Sequence, residues 1–177
     1  MPRVAVVGTS CSGKTTLARR IARSCGIPHF ELDAINWGPN WTPLPIDEFQ
    51  AAVGAIVQGE QWVIDGNYSK VRDIIWARAT DVVWLDLPFL VVLWRAITRT
   101  GKRVITQEQL FAGNRETIRL VLFSRDSILW WVIRTHRRRQ RTYQELFRLR
   151  GDLPFRVHRI CNSVEENEML ARLVEAY

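Results

Sequence analysis

Apolar residues along the 177-residue chain alternate between short solid runs and longer stretches with a helical period. The solid runs are Arg3-Val4-Ala5-Val6-Val7, His29-Phe30-Glu31-Leu32-Asp33, Gln61-Trp62-Val63-Ile64-Asp65, Asp81-Val82-Val83-Trp84-Leu85-Asp86-Leu87-Pro88 and Phe155-Arg156-Val157-His158-Arg159-Ile160. Their length and β-branched or aromatic content predict five strands. Between them, Thr15 to Arg23 places Leu17, Ala18, Ile21 and Ala22 on one helical face, and Gly26-Ile27-Pro28 ends that helix. Ile46 to Val57 does the same with Phe49, Val53, Ile56 and Val57, with Asp47 and Glu48 in its first turn. Further helices are expected over Phe89 to Thr100, over 115–150 with a break near Ser124, and over Val164 to Ala176. The long stretch buries Ile118, Leu122, Ile128, Leu129, Val132 and Ile133, and the last helix Met169, Leu170, Leu173 and Val174. Residues 36–45 are turn-rich and 101–114 read as a polar connection. Strands alternating with helices predict an α/β fold, a parallel sheet covered on both faces.

Length and composition suit one domain over residues 1–177, with no repeat or low-complexity tract. The chemistry-bearing motif begins at residue 8, which leaves no room for a secretory leader, so the mature protein is expected to start here. The apolar stretches Leu85 to Trp94 and Leu120 to Ile133 are too short, or interrupted by Arg125 and Asp126, to span a bilayer. Cys11, Cys25 and Cys161 follow no disulfide or metal-ligand spacing, which suits a reducing cytoplasm.

Directly behind the first strand, Gly8-Thr9-Ser10-Cys11-Ser12-Gly13-Lys14-Thr15 matches the phosphate-binding pattern GxxxxGK[ST] in full. Backbone N–H groups bent into a nest surround a polyphosphate without side chains in the way, and the following helix aims the positive end of its dipole at the anion. Gly8, Ser10, Cys11, Ser12, Gly13, Lys14, Thr15 and Thr16 are the expected nucleotide contacts. Lys14 reaches the β and γ phosphates, and Thr15 offers its hydroxyl to Mg²⁺. Cys11 reads either as a reactive thiol in an electropositive loop or as a small filler.

Two carboxylates at strand ends complete the candidate chemistry. Asp65, with a turn immediately after it, is placed to hold Mg²⁺ through water; Asp33 is placed to orient or deprotonate an acceptor, or to cap the following segment. Trp37 and Trp41 in the turn-rich loop either contact a ligand or pin the loop to the body. Of the 25 basic residues only Lys14, Lys70 and Lys102 are lysines; the other 22 are arginines, and the net charge is +7. Guanidinium forks suit phosphate, whether of a nucleotide or of nucleic acid. The densest run, Arg134-Thr135-His136-Arg137-Arg138-Arg139-Gln140-Arg141, reads as a solvated face, as fingers over a transferring phosphoryl group, or as a nucleic-acid contact, with His136 neutral and without a catalytic role.

The phosphate loop, Leu32-Asp33, Trp62-Val63-Ile64-Asp65-Gly66-Asn67-Tyr68, Trp84-Leu85-Asp86-Leu87-Pro88 and the late arginine run fall in the order of landmarks in adenylate-kinase-like P-loop kinases. The chain resembles that family, and more narrowly the proteins labelled topology modulation or FlaR-related. The resemblance implies a three-layer P-loop NTPase fold with sheet order 2-3-1-4-5, ATP on the loop with Mg²⁺, and a mobile Arg-rich helical lid over about 100–150. It also implies that Asp65-Gly66 holds the metal's water, that Arg95 and Arg99 stack on adenine or reach phosphate, and that Arg134, Arg137 and Arg138 correspond loosely to lid arginines. One departure bears on the acceptor. Residues 24–69 contain no Lys or Arg, and Asp65-Gly66-Asn67-Tyr68-Ser69 stands where nucleoside monophosphate kinases have Asp-Gly-Phe-Pro-Arg. A pocket of Asp33, Trp37, Trp41, Asn67 and Tyr68 suits a neutral, hydroxyl-bearing, non-phosphorylated small molecule with a flat or sugar-like face.

The expected function is therefore transfer of the γ-phosphoryl group of ATP to a small-molecule hydroxyl, with Lys14, Asp33, Arg134 and Arg138 as catalytic residues. The alternatives are a nucleotide-dependent regulator that contacts DNA or RNA through the arginine cluster, a nucleoside monophosphate kinase, or an ATPase.

Overall fold

The computed structural model describes residues 1–106, 111–113, 128–149 and 153–177. Five parallel strands, β1 (Arg3–Gly8), β2 (His29–Glu31), β3 (Trp62–Asp65), β4 (Asp81–Leu85) and β5 (Arg156–Ile160), form one sheet in the order β2-β3-β1-β4-β5. Strand β1 lies at the centre, with Val6 opposite Asp65 and Gly8 opposite Leu85, so the phosphate loop and the end of β3 emerge side by side.

Alternation along β1 shows why the sheet is covered twice. Val4 and Val6 pack with Leu17, Ala18 and Ile21 of α1 (Lys14–Cys25) and Met169 and Leu173 of α7 (Ser163–Ala176). Ala5 and Val7 enter the opposite core. There they meet Phe49, Val53 and Val57 of α3 (Ile46–Val57), Val71, Ile75 and Trp76 of α4 (Ser69–Trp76), and Tyr143 of α6 (Ile128–Leu149). Each fully buried Val, Leu, Ile or Phe contributes about 1.5–3 kcal/mol, and such residues make up most of both clusters. A third, smaller cluster of Leu87, Val92, Ala96 and Val132 joins α5 (Phe89–Thr106) to α6 and takes in the Cys11 side chain. Cys11 is thus a buried filler. At the start of α7 the Asn162 carboxamide caps the N–H groups of Val164 and Glu165 at 2.9 and 3.0 Å.

The three-layer parallel sheet and its order agree with the sequence expectation; several element boundaries differ. Strand β2 stops at Glu31, and Asp33 lies in the first turn of a short helix, α2 (Leu32–Asn36), instead of ending the strand. The reason is packing. Leu32 is buried against Gly66, where an added Cβ would stand 2.7 Å from the Leu32 Cβ. Helix α4 was not anticipated; its apolar positions 71, 75 and 76 cover barely two turns, too few to stand out as a period.

Residues 101–106 extend α5 where a loop was expected, and 111–113 form a single 3₁₀ turn. Ile133 and Val174, expected to be buried, are 45% and 44% exposed, whereas Val132 is fully buried. Ile118, Leu122 and the break near Ser124 lie outside the described residues, as do the side chains of Ile128 and Leu129. Among the described residues no helix is long and apolar enough to cross a membrane.

Candidate active site

The phosphate loop takes its shape from two tight approaches. Gly8 has φ +151°, and a Cβ there would lie 2.8 Å from the Leu85 carbonyl and 3.0 Å from Ser12 Oγ. Cys11 occupies the left-handed region at φ 64° while its side chain is held in the third cluster, so packing offsets the backbone strain. Helix α1 then starts from Gly13 with no side-chain cap and no acidic residue in its first turn. Its leading N–H groups are therefore left to an anion. Lys14 Nζ donates to the Thr9 carbonyl at 3.1 Å, and burial lowers its pKa against the opposing pull of Asp65 and Asp33.

Three oxygens meet behind the loop. Thr15 Oγ1 lies 3.2 Å from Glu31 Oε1 and 3.1 Å from Asp65 Oδ1, although one hydroxyl proton serves only one of them at a time. Asp65 is 2% exposed, and its other oxygen lies 2.7 Å from His29 Nε2. Burial raises the Glu31 carboxyl, and the charges of Asp65 and Asp33 raise it further, beyond what Thr15 and Arg19 restore. A hydroxyl and two crowded carboxylates are hard oxygen donors, the set that fits Mg²⁺. Among the described residues no group of three His, Cys, Asp or Glu side chains could hold a metal unaided. A magnesium site of this kind takes only one or two protein carboxylates and completes its shell with water and phosphate.

The Asp65-Gly66-Asn67-Tyr68 element joins this end of the sheet to its surroundings residue by residue. The Asn67 carboxamide receives the Gly8 N–H at 3.1 Å and the Tyr143 hydroxyl at 3.0 Å through Oδ1, while its Nδ2 donates to the Gly8 carbonyl. Tyr68 donates to Asp33 Oδ1 at 2.6 Å. Burial, and then the Asp33 charge, raise the Tyr68 phenol far above its usual range, so it remains a donor to Asp33 at any physiological pH. The side chains of Trp37 and Asn36 oppose that rise in part.

Beside Tyr68 a cavity of about 190 Å³ opens between β1, α4 and α6, lined in part by Asn67, Tyr68, Arg72, Arg138, Arg139 and Tyr143. Burial pushes the Tyr143 phenol up to about 12.

Of the residues singled out in the sequence, the loop, Asp33, Asp65, Asn67 and Tyr68 come together at this edge. Arg95 Nη1 donates to the Ser12 carbonyl at 2.7 Å, against the loop. Arg99 lies one turn further along α5 and is partly buried, and Arg134 is exposed. Arg138 lines the cavity, whereas Trp37 packs edge-to-face on Trp41 with ring centroids 6.0 Å apart and is not part of the cavity's lining. Residues 24–69 contain no Lys or Arg, but the cavity beside Tyr68 has Arg72, Arg138 and Arg139 in its lining, brought from α4 and α6.

Glu31, His29, Arg72 and Tyr143 were missed, and Arg139 was included only as part of the arginine run. Glu31 and His29 had a signal: residues 29 and 31 share one face of β2, and Glu31 stands two before Asp33. The other three come from helices whose placement only the packing decides.

No protein-family model matches the chain, and no curated protein matches it in sequence. Solved structures do. The fold is that of P-loop kinases. A gluconokinase from Sinorhizobium meliloti 1021 is similar at 22% identity and TM-score 0.53, covering 99% of this chain and 94% of that one. A shikimate kinase from Bacteroides thetaiotaomicron is similar at 16% identity and TM-score 0.57, over 99% and 97%. A shikimate kinase from Acinetobacter baumannii, in complex with shikimate, is similar at 13% identity and TM-score 0.62, over 99% and 92%.

Proposed function

We propose that the protein is an ATP- and Mg²⁺-dependent phosphotransferase that moves the γ-phosphoryl group of ATP to a hydroxyl of a small molecule. The observation that carries this reading is the Thr15 hydroxyl facing both Glu31 and Asp65 at the mouth of an uncapped helix, with the Asp33–Tyr68 pair beside the adjoining cavity. The loop amides and Lys14 bind the triphosphate, and Arg95, already against the loop, adds charge on its outer side. Thr15, Asp65 and Glu31 hold the metal directly or through its waters. Magnesium, when bound, neutralises charge on the β and γ phosphates.

Asp33, held by Tyr68, accepts the proton from the acceptor hydroxyl as its oxygen attacks the γ-phosphorus. The bond from that phosphorus to the bridging oxygen breaks and ADP leaves. Arg138 and Arg139 face the charge that develops on the transferring group. The structural neighbours are named as kinases of small molecules, gluconate and shikimate, which supports an acceptor of that size. A single catalytic unit over residues 1–177 and a reducing cytoplasm, suited to the free thiols of Cys11, Cys25 and Cys161, complete the reading.

A screen of small hydroxyl compounds with Mg²⁺ and ATP, read as mass gain of one phosphoryl group, tests it. Lys14→Ala should lower the rate by about a thousandfold or more while the folded state persists. Unimpaired transfer in that variant would sink the proposal.

A further inference from the structure

His29 touches the proposed metal site but has no part in the phosphotransfer reading. Strands β2 and β3 pair in parallel with His29 opposite Val63 and Glu31 opposite Asp65. Side chains two positions apart on a strand share a face, so these four stand on one side of the sheet. Val63 packs there with Leu17, Ala18 and Ile21 of α1, and Thr15 lies in the first turn of the same helix. Asp65 is thus the diagonal neighbour of His29, within reach of a ring but not of a short side chain. His29 Nε2 accordingly lies 2.7 Å from Asp65 Oδ2.

The two oxygens of Asp65 therefore have separate partners. Oδ1 faces the Thr15 hydroxyl at 3.1 Å, on the side assigned to the metal, and Oδ2 faces the imidazole. An ionised carboxylate only accepts, and Nε2 carries a hydrogen both in the charged ring and in one neutral tautomer, so His29 is the donor. The contact is sheltered, with side-chain exposures of 14% for His29 and 3% for Asp65. In such surroundings a hydrogen bond is strong and a carboxylate oxygen without one is costly, so a donor on Oδ2 fixes the rotation of the whole group. Glu31, the other carboxylate facing Thr15, is held more loosely. Its Oε2 has Arg19 at 3.5 Å, and that arginine side chain is 60% exposed.

We infer that His29 is a positioning residue for the metal site. By donating from Nε2 to Asp65 Oδ2 it turns Oδ1 toward Thr15, and so tightens the hold on a hard divalent cation without touching it. The inference rests on the phosphotransferase reading for the presence of the metal, and on the strand register and the Nε2–Oδ2 contact for the part of His29.

The probe is Mn²⁺, a hard divalent cation whose free form is counted by electron paramagnetic resonance. Its affinity is measured with the protein in excess over a non-hydrolysable ATP analogue, and again with the analogue alone. Wild-type protein should hold Mn²⁺ more tightly than the free analogue does. His29→Leu keeps the bulk and removes the donor, and it should weaken Mn²⁺ binding about tenfold, the lower end of what a hydrogen bond onto a metal-holding group contributes. His29→Asn, polar but too short to reach Asp65 Oδ2, should lose as much and is the second form of the test. His29→Gln places an amide N–H near the Nε2 position and should stay within about threefold of wild type. In an Asp65→Asn background His29→Leu should change the affinity by less than about twofold, because it acts through that carboxylate. An unchanged Mn²⁺ affinity in His29→Leu and His29→Asn, a loss that persists undiminished in the Asp65→Asn background, or a loss in His29→Gln as deep as in His29→Leu would overturn the inference.

Phosphotransfer measured in parallel separates the two proposals. Mn²⁺ binding that depends on His29, with no hydroxyl compound phosphorylated, upholds the positioning role and removes the kinase. Phosphotransfer with a Mn²⁺ affinity indifferent to His29 keeps the kinase and overturns the positioning role. Wild-type protein that holds Mn²⁺ no more tightly than the free analogue removes the metal site, and both proposals with it.

Discussion

The two ends of the same parallel sheet treat their carboxylates in opposite ways. At the amino end Asp81, fully buried at the start of β4, receives Arg156 at 2.9 and 3.2 Å, His158 at 2.8 Å, Thr80 at 2.8 Å and the Tyr177 hydroxyl at 3.0 Å. Burial alone would raise its pKa. The hydrogen bonds from His158, Arg156, Thr80 and Tyr177 outweigh that and hold it far below the ordinary carboxylate value. At the carboxyl end Glu31 and Asp65 face one threonine hydroxyl, and burial, with the nearby charges of Asp65 and Asp33, raises Glu31. One end is neutralised by its own chain and ties the last residue to the sheet. At the other, Glu31 stays raised although Arg19 lies 3.5 Å away, and the negative charge left there suits a cation.

The sharpest way to break this comparison is at Asp33. Asp33→Asn should lower phosphotransfer about 10²–10⁴-fold with little change in melting temperature, since its proton-accepting role is removed and its shape kept. Full kcat in that variant would take Asp33 out of the chemistry. Next in size, Asp81→Asn should destabilise the protein by about 3 kcal/mol in urea unfolding, because Arg156 and His158 lose a buried acceptor. Activity per folded molecule should be unchanged; a catalytic loss of the same depth as in Asp33→Asn would show that the two ends are not separate.

Tyr68→Phe should cost about tenfold in kcat and leave the nucleotide's KM alone, as the variant removes one hydrogen bond to Asp33. An altered nucleotide KM would place Tyr68 on the donor side instead.

The smallest effect is in pH dependence, and its sign differs between the ends. Asp81 is depressed in the folded state, so its contribution is present above the ordinary value of 3.8 and is lost as pH falls below it. Glu31 is raised, so its contribution is full below 4.5 and lost as pH climbs through the raised value. Glu31→Gln should therefore stabilise the protein at neutral pH by about 1 kcal/mol while weakening Mg²⁺-dependent turnover. Urea unfolding at pH 5 and pH 7.5 reads the first effect, and a magnesium titration of the rate reads the second. Equal stability of variant and wild type at both pH values would contradict the raised Glu31.

Much of the carboxyl end was legible in the chain because its residues are set by short-range rules. The loop from Gly8 to Thr15 is a contiguous motif, and Asp65 follows a solid apolar strand that had to be parallel and buried. Asp33 was found as a site candidate although its strand ends two residues earlier, since a shift from strand end to helix start leaves it on the same edge. Glu31 was passed over because a carboxylate inside a strand pattern looks like an edge residue until Thr15 is seen beside it. Asp81 drew no attention for the same reason. Its partners Arg156, His158 and Tyr177 lie 75, 77 and 96 positions away.

By itself the sequence determined the alternation of strands and helices, the parallel sheet and the phosphate loop, because hydrophobic period and a turn that demands glycine are local properties of the backbone. Tertiary structure alone decided what lines the cavity beside Tyr68. The uncharged run of residues 24–69 suggested a neutral pocket, but α4 and α6 pack over it with Arg72, Arg138 and Arg139. Charge in a cavity is the sum over every element that lines it, and which helices do so follows from burying Val71, Ile75, Trp76 and Tyr143 in one core, not from any spacing along the chain.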